Sequence, residues 1–501
     1  MILQRSMAAI GIVLLAGCAV GPDFKQPAAP KTDHYTSLKL TLELPEAATG
    51  QKLLAGGEVP AQWWQLFGSE PLNRLVEQGL ASSPTVTAAE AKLREAEENL
   101  NAQVGAVLYP TIDAKASASR QKISGASFGG RARIYNLYNA SVSASYGLDL
   151  FGGSRRYLEG LRSQIDYAQY ELQAARLTLA ANIVTAAVKE ASLRGQIAAT
   201  RQMISDSESQ LAMIQQQYEQ GAVAQKAVLS QQSDLARIRA TLPALQKQLE
   251  QNRNLLNVLA GRLPADGGLP EFGLDTLHLP ATLPLSLPSE LVRQRPDILA
   301  AEALLHQASA NVGVATANMY PSITLTASYG TESSQVSNLF GAGSTTVWGL
   351  GAGLLQPLFH GGELHAKKRA AVAAFDQANA NYREVVLQSF RDVADTLLAL
   401  EMDSRTLTLQ RDAESAAGQT FALVRQQYQA GAASYLELLT ASQQYQQASI
   451  NLTQAEAARF ADSAALIHAL GGGWWNHGNA DQKSAADGNS EPASQQQGAN
   501  P

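Results

Sequence analysis

The chain offers few side chains whose types and spacing suit chemistry. Its single cysteine, Cys18, excludes an internal disulfide. The position of that cysteine is informative. Arg5 lies in a short positive region, Met7 to Ala16 is apolar, and Cys18 stands where the apolar stretch ends. Residues 1–17 therefore read as a signal peptide, too short to be an ordinary spanning helix. The chemistry open to a thiol at that place is lipid attachment; the alternative is an ordinary signal with an incidental cysteine. Other reactive types are dispersed. The seven histidines are scattered, and His360 and His365 flank Gly361-Gly362 five positions apart, which is not a zinc-helix spacing. The six methionines outline no metal path. There is no nucleophile elbow, phosphate-binding loop or pair of catalytic carboxylates, so the expectation is no enzyme, no cofactor and no metal.

Leu15-Ala16-Gly17-Cys18 resembles the bacterial lipobox, which makes Cys18 the palmitate-bearing first residue of the mature chain. Ala19, rather than the Asp that retains lipoproteins in the inner membrane, favours the outer membrane. A net charge of −6 with only 16% charged residues argues against a nucleic-acid surface. Aromatic content is low at 6% while Ala and Gln abound, which suits long helices packed through small side chains.

Landmarks recur along the chain and imply an internal duplication. Helical patterns stop at Tyr109-Pro110 and at Tyr320-Pro321, 211 positions apart. Gly152-Gly153 recurs as Gly361-Gly362 at an offset of 209, and Tyr218/Gly221 recurs as Tyr428/Gly431 at 210. Each copy reads as helix, β-hairpin, long helix, turn, helix, a half-domain rather than a solenoid unit. Leu75, Leu80, Ala88, Leu93 and Leu100 carry the first helical period.

After Pro110, Ile112, Ala114, Ala116 and Ala118 alternate with polar residues, and the stretch from Tyr138 to Leu148 does the same. On this hairpin alone a soluble sheet and a membrane strand fit equally. The second copy tips the balance. There Ile323, Leu325, Ala327 and Tyr329 alternate with Thr and Ser, while Trp348, Leu350, Ala352 and Leu354 alternate with Gly349, Gly351 and Gly353. The aromatics near strand ends and the thin apolar face match membrane-barrel strands of roughly ten residues. Four strands cannot close a barrel, and open edges are not viable in lipid, so a barrel would be shared; three chains would supply twelve strands.

A heptad seam runs through Leu158, Leu161, Ile165, Ala168, Leu172, Ala175 and Leu179, and helical character lasts to about Tyr218. At 1.5 Å per residue a helix of about 60 residues is roughly 90 Å long, far more than a membrane's thickness. The return helix repeats the seam at Leu235, Ile238, Leu242, Leu245, Leu249, Leu256 and Leu259, and Pro243 inside it is expected to kink it. In the second copy Ala371, Phe375, Ala378, Tyr382 and Val385 keep heptad steps. Gly221 and Gly431 fit left-handed C-caps at the two helix-to-helix turns. Ser434 and Glu437 form a capping box that the first copy lacks, having Ala224 and Ala227 there.

Leu287-Pro288-Ser289-Glu290-Leu291, Arg295-Pro296-Asp297-Ile298 and Ala301-Glu302 resemble the signature of TolC-like outer-membrane factors, in particular their NodT-type lipoprotein branch. Further resemblances lie at Cys18 to Phe24, Leu148 to Gly152, Gln356 to Phe359 and Leu470 to Trp474. The resemblance implies a mainly α protein with a transmembrane β part: a homotrimer whose twelve-stranded β-barrel, four strands per chain, continues as a long α-helical barrel. It also implies an exit duct for small toxic compounds or drugs in the outer membrane of a Gram-negative bacterium. Its partners would be a periplasmic adaptor and an inner-membrane transporter of the RND type. Carried over by position, Tyr428 is the turn aromatic, Leu436 an apolar constriction and Glu437 an acidic gate residue. Thr440 replaces a second acidic ring and Ala227 an acidic partner, which leaves Lys226 facing Glu437 as a substitute latch. Tyr218, Gly221, Gly431 and Ser434 mark the tip turns for adaptor contact.

The expected boundaries are a signal peptide at 1–17, a lipid-anchored strap at 18–71, one repeat at 72–262, a linker at 263–288, the second repeat at 289–473 and a disordered tail at 474–501. Alternatives within the family are type I secretion or metal efflux; outside it, a filamentous structural lipoprotein would also use long heptads. Leu436 has a competing assignment, packing between helices like most leucines at heptad spacing.

Overall fold

The computed structural model describes residues 19–36, 51–124 and 132–476. Cys18 and the lipidation expectation lie outside these residues. In chain order the strands are β1 (Lys52–Ala55), β2 (Thr111–Ile123), β3 (Arg133–Leu148), β4 (Thr282–Leu285), β5 (Ser322–Ser333) and β6 (Thr345–Leu355). The α-helices are α1 (Glu70–Ser82), α2 (Pro84–Leu108), α3 (Gly153–Glu219), α4 (Gln225–Leu259), α5 (Pro288–Gln294), α6 (Pro296–Ala317), α7 (Glu363–Gln429) and α8 (Tyr435–Ala469). Helices α3 and α7 are each 67 residues long, and α4 and α8 are each 35. The chain divides into two compact units. One comprises Met1–Pro27, Ala91–Gln169 and Ala300–Glu384; the other Ala28–Glu90, Tyr170–Leu299 and Val385–Pro501.

The first unit holds one antiparallel sheet in the order β2-β3-β5-β6. Its strands run to 13, 16, 12 and 11 residues, longer than the ten or so expected. The two hairpins are joined through β3 and β5, with Val142 opposite Tyr329 and Leu148 opposite Ile323. In the same register Ala114 faces Val142, and Tyr329 faces Trp348. A strand's side chains alternate between faces, so this register gathers Ala114, Val142, Tyr329, Trp348 and their alternate neighbours on one face, while Tyr135, Leu137, Val347 and Leu355 fall on the other. The first face is not covered by the chain: Val142, Tyr329, Trp348, Leu350 and Leu354 are all exposed. The second face is otherwise mostly Ser, Thr and Gly, with Asp113, Lys115 and Asn139 among them. A Cβ on Gly351 would come within 2.9 Å of Thr326 Oγ1, so glycine is fitted to its cross-strand partner there.

The second unit has a buried apolar core that includes Trp63, Phe67, Leu72, Ile183, Leu291 and Leu400. A parallel pair, β1 with β4, joins the strap to the linker. Four-residue strands are too short for a period of two to show in sequence, and neither was expected. Where the helical period through Leu75, Leu80, Ala88, Leu93 and Leu100 implied one helix there are two. Ser83 is extended (φ −68°, ψ 124°) because Pro84 follows it and disfavours helix in the residue before. Arg295 before Pro296 does the same (φ −74°, ψ 125°). Helix α4 is unbroken from Gln225 to Leu259 although Pro243 lies inside it and has no N–H to give. Trp474–Asn476, expected to open the tail, instead form a 3-10 turn. Trp474 Nε1 donates to Gln294 O at 2.8 Å and Asn476 Nδ2 to Val59 O at 2.8 Å; the rest of that segment lies outside the described residues.

The Arg-Pro-Asp run is a structural hub. The Arg295 guanidinium is buried, and it donates to Asp297 Oδ1 at 3.0 Å, Asp297 Oδ2 at 2.7 Å and the Ala469 carbonyl at 2.8 Å. It also reaches Asp392 at 3.4 Å, so one side chain ties the α5–α6 junction to α7 and to the end of α8. Hydrogen bonds to charged groups are each worth about 1.5–3 kcal/mol, and half-exposed Asp297 and Asp392 regain some solvation when uncovered. Arg295→Ala is expected to destabilise this unit by about 2–3 kcal/mol, read as a lower thermal denaturation midpoint by circular dichroism. An unchanged midpoint would show that the hub contributes nothing net.

Candidate functional site

The expected site residues gather at the two turns between long helices, both in the second unit. Each turn closes by the same Schellman geometry. The Ala222 N–H donates to Gln217 O at 2.8 Å and the Ala432 N–H to Gln427 O at 2.8 Å. Gly221 and Gly431 both have φ +74°, the left-handed conformation that closes such a cap. A Cβ at either glycine would meet nothing within 4 Å, so backbone conformation alone calls for glycine. The turns differ on their far sides. Ser434 Oγ accepts from the Glu437 N–H at 3.3 Å and Glu437 Oε2 accepts from the Ser434 N–H at 2.6 Å, completing the capping box. Ala224 caps α4 with no side-chain bond.

Beyond the turns, side-chain hydrogen bonds join the two helical hairpins of the chain. Tyr428 is buried, and its hydroxyl donates to Gln217 Oε1 at 2.7 Å. The Tyr435 hydroxyl donates to Gln231 Oε1 at 2.5 Å, and Gln231 Nε2 donates on to Ser207 Oγ at 2.8 Å. Gln443 Nε2 donates to Asp234 Oδ1 at 2.8 Å, which also accepts from Arg237 at 2.6 Å. Burial and the nearby Asp234 carboxylate push the Tyr435 hydroxyl up to about 12, so it remains a donor at neutral pH. These bonds surround an apolar cluster of Phe421, Tyr428, Leu438 and Ala441.

Gln217, Gln231, Asp234 and Gln443 were not expected as site residues. A signal was present for two of them: Gln231 and Asp234 fall at heptad steps with Leu235 and Ile238, so polar side chains occupy a buried seam. The other expected residues are placed differently. Leu436 is 69% exposed, so it does not pack between helices of its own chain. Thr440 donates its hydroxyl to Leu436 O at 2.8 Å, one turn back along its own helix. Lys226 is exposed and forms no ion pair with Glu437 within the chain; the Glu437 carboxylate is committed to the cap instead. Tyr218 is exposed beside Gly221.

A family profile described as "Outer membrane efflux protein" matches residues 75–262 and again 287–472. The pyoverdine export outer membrane protein OpmQ of Pseudomonas aeruginosa is 31% identical over 84% of this chain and 90% of its own length. The toluene efflux pump outer membrane protein TtgF of Pseudomonas putida is 32% identical over 93% and 96%. The solved structure of the outer-membrane channel OprN superposes with a TM-score of 0.82 at 27% identity, over 91% of this chain and all of that one.

Ser434→Ala removes the acceptor that caps α8 and is expected to cost about 1 kcal/mol locally. Amide exchange over Tyr435–Leu438 should then speed up several-fold, with α4 unaffected. The backbone N–H of Ser434 and then its side chain hold the Glu437 carboxyl below its usual 4.5. A depressed carboxylate favours the folded cap above the usual value, so the cap should loosen as pH falls through the lowered one. Protection factors over Tyr435–Leu438 that stay constant as pH falls from 6 to well below the usual carboxylate range would contradict this.

Proposed function

The chain belongs to the outer membrane efflux protein family, and from that premise we propose that three copies close a single duct through which small toxic compounds or drugs leave the periplasm. It is an outer-membrane protein of a Gram-negative bacterium and serves an efflux pump. The observation that carries the trimer is the sheet. Strands β2 and β6 each have one neighbour only, so two edges are left unpaired. An unpaired backbone group in hydrocarbon costs several kcal/mol, and twelve strands from three copies remove every edge. The uncovered apolar face of Val142, Tyr329, Trp348 and Leu350 supports a lipid-facing exterior, and the Ser, Thr and Gly face supports an aqueous lumen. Matching helix lengths, matching turns and the twice-matching profile support a duplicated ancestor.

The long helices would continue the duct as a helical barrel. Its tip turns, Tyr218 to Gly221 and Tyr428 to Ser434, would meet a periplasmic adaptor, with an inner-membrane transporter of the RND type supplying the energy. Relatives are named for pyoverdine, for toluene and, in Escherichia coli, for cation efflux, which supports a duct whose cargo is chosen by its pump. At the resting tip, three copies of exposed Leu436 would close a narrow path by dewetting. The hydrogen bonds from Tyr428 and Tyr435 would hold each protomer's two hairpins together in that state.

Mass measurement in mild detergent should give three chains, and the same particle should conduct ions in a planar bilayer. A monodisperse monomer that conducts would sink the trimer. Leu436→Ala should raise resting conductance and antibiotic leakage while leaving the trimer intact. If it instead weakens the trimer by the few kcal/mol of a core truncation, with no rise in conductance, Leu436 packs between copies and is not the constriction.

A further inference from the structure

One end of the four-stranded sheet carries features that closing a duct does not need. The register brings Thr111, Leu148, Ser322 and Leu355 to that end, with Thr111 opposite Ser145, Leu148 opposite Ile323 and Ser322 opposite Leu355. Directly beyond β6 come Leu358 and Phe359, 91% and 87% exposed. They are among the most exposed large apolar side chains of the described residues, and they follow directly on the strand whose Trp348, Leu350 and Leu354 are uncovered. Gly361-Gly362 follows, both glycines at positive φ, and then α7 begins.

The first two turns of α7 are basic. Lys367 is neutralised by Glu363 at 2.5 Å, but Lys368 and Arg369 have no acidic partner among the described residues of the protomer. The strap reaches the same end. The Val20 N–H donates to Phe151 O at 3.0 Å, and a Cβ on Gly152 would lie 2.7 Å from Ala19 Cα. The residue next to Cys18 is therefore fixed against the start of α3. An acyl group on Cys18 would enter the leaflet that borders this end, which sets the level of the headgroups there.

We infer that Leu358, Phe359, Lys368 and Arg369 form a docking surface for anionic glycerophospholipid in the leaflet that receives the strap's lipid anchor. The apolar pair enters the acyl boundary and the two cations meet the phosphates above it, the pairing by which basic segments beside apolar anchors select anionic bilayers. The occupant follows from charge complementarity and from continuity with the lipid-facing strands. The inference rests on the reading that those strands span the membrane.

The test reconstitutes the full chain into vesicles of phosphatidylcholine and phosphatidylglycerol in equal parts. The protein is then extracted in neutral detergent, and retained lipid is counted by native mass spectrometry. Wild-type protein should retain phosphatidylglycerol in preference. Lys368→Glu with Arg369→Glu should cut that preference roughly tenfold, with oligomer mass and conductance unchanged. Leu358→Ser with Phe359→Ser should lower retention of both lipids. A phosphatidylglycerol preference unmoved by charge reversal overturns the inference. So does a serine pair that splits the oligomer while lipid retention holds, because a second copy would then cover the apolar pair. A wild-type chain that inserts and conducts without lipid preference fails this inference alone; one that never inserts fails the spanning reading as well.

Discussion

An open four-stranded β-sheet with one uncovered apolar face is the constraint on which the rest depends. Strands β2 and β6 leave unpaired edges, and the apolar face of the sheet has no cover within the chain. Neither feature suits a free protomer in water. Both are resolved together if edges pair between copies and the apolar face meets lipid. The glycines of β6 fit the same scheme, since they keep the opposite face shallow where Ser328, Thr326 and Thr324 stand across from them.

The two turns obey a different constraint. Their glycines and Schellman bonds are demanded by helix termination alone, and those bonds are the same at both turns. What sets the tip apart is the polar chemistry beside them. Gln231 and Asp234 occupy seam positions that Leu or Ala would fill at lower desolvation cost. Buried polar groups in a coiled seam fix register and partner choice at some expense in stability. Under the proposed gating role such an exchange would be useful: hydrogen bonds would hold one arrangement while leaving a second within reach. An all-leucine seam would hold the first arrangement more firmly and release it less readily.

The Arg295-Pro296-Asp297 run joins helices through all three of its residues. Its proline ends one helix and begins another, its aspartate accepts the Ile298 N–H at 2.9 Å, and its arginine reaches α7 and the end of α8. Arg459 behaves similarly. Wholly buried, it donates to Leu400 O at 2.7 Å and to Gln51 Oε1 at 2.6 Å. Both guanidinium groups serve as multivalent donors, Arg295 to the carbonyl at the end of α8 and Arg459 to a carbonyl in the middle of α7 and a side-chain amide.

The elements themselves were legible in the residues because their causes are local. Proline beside Tyr109 and Tyr320 stops helices, glycine at 221 and 431 caps them, and period-two alternation marks four strands. The cap at Ser434 and its absence at Ala224 follow from side chains three residues apart. Partner choice across long separations was not legible. Tyr428 meets Gln217 across 211 residues, and among many glutamines nothing local distinguishes that one. The joining of β3 to β5, the short β1–β4 pair and the exposure of Leu436 likewise depend on what the folded chain brings alongside. Local sterics and hydrogen bonding set where each element begins and ends. Only the tertiary structure decides which of several chemically equivalent neighbours each one meets.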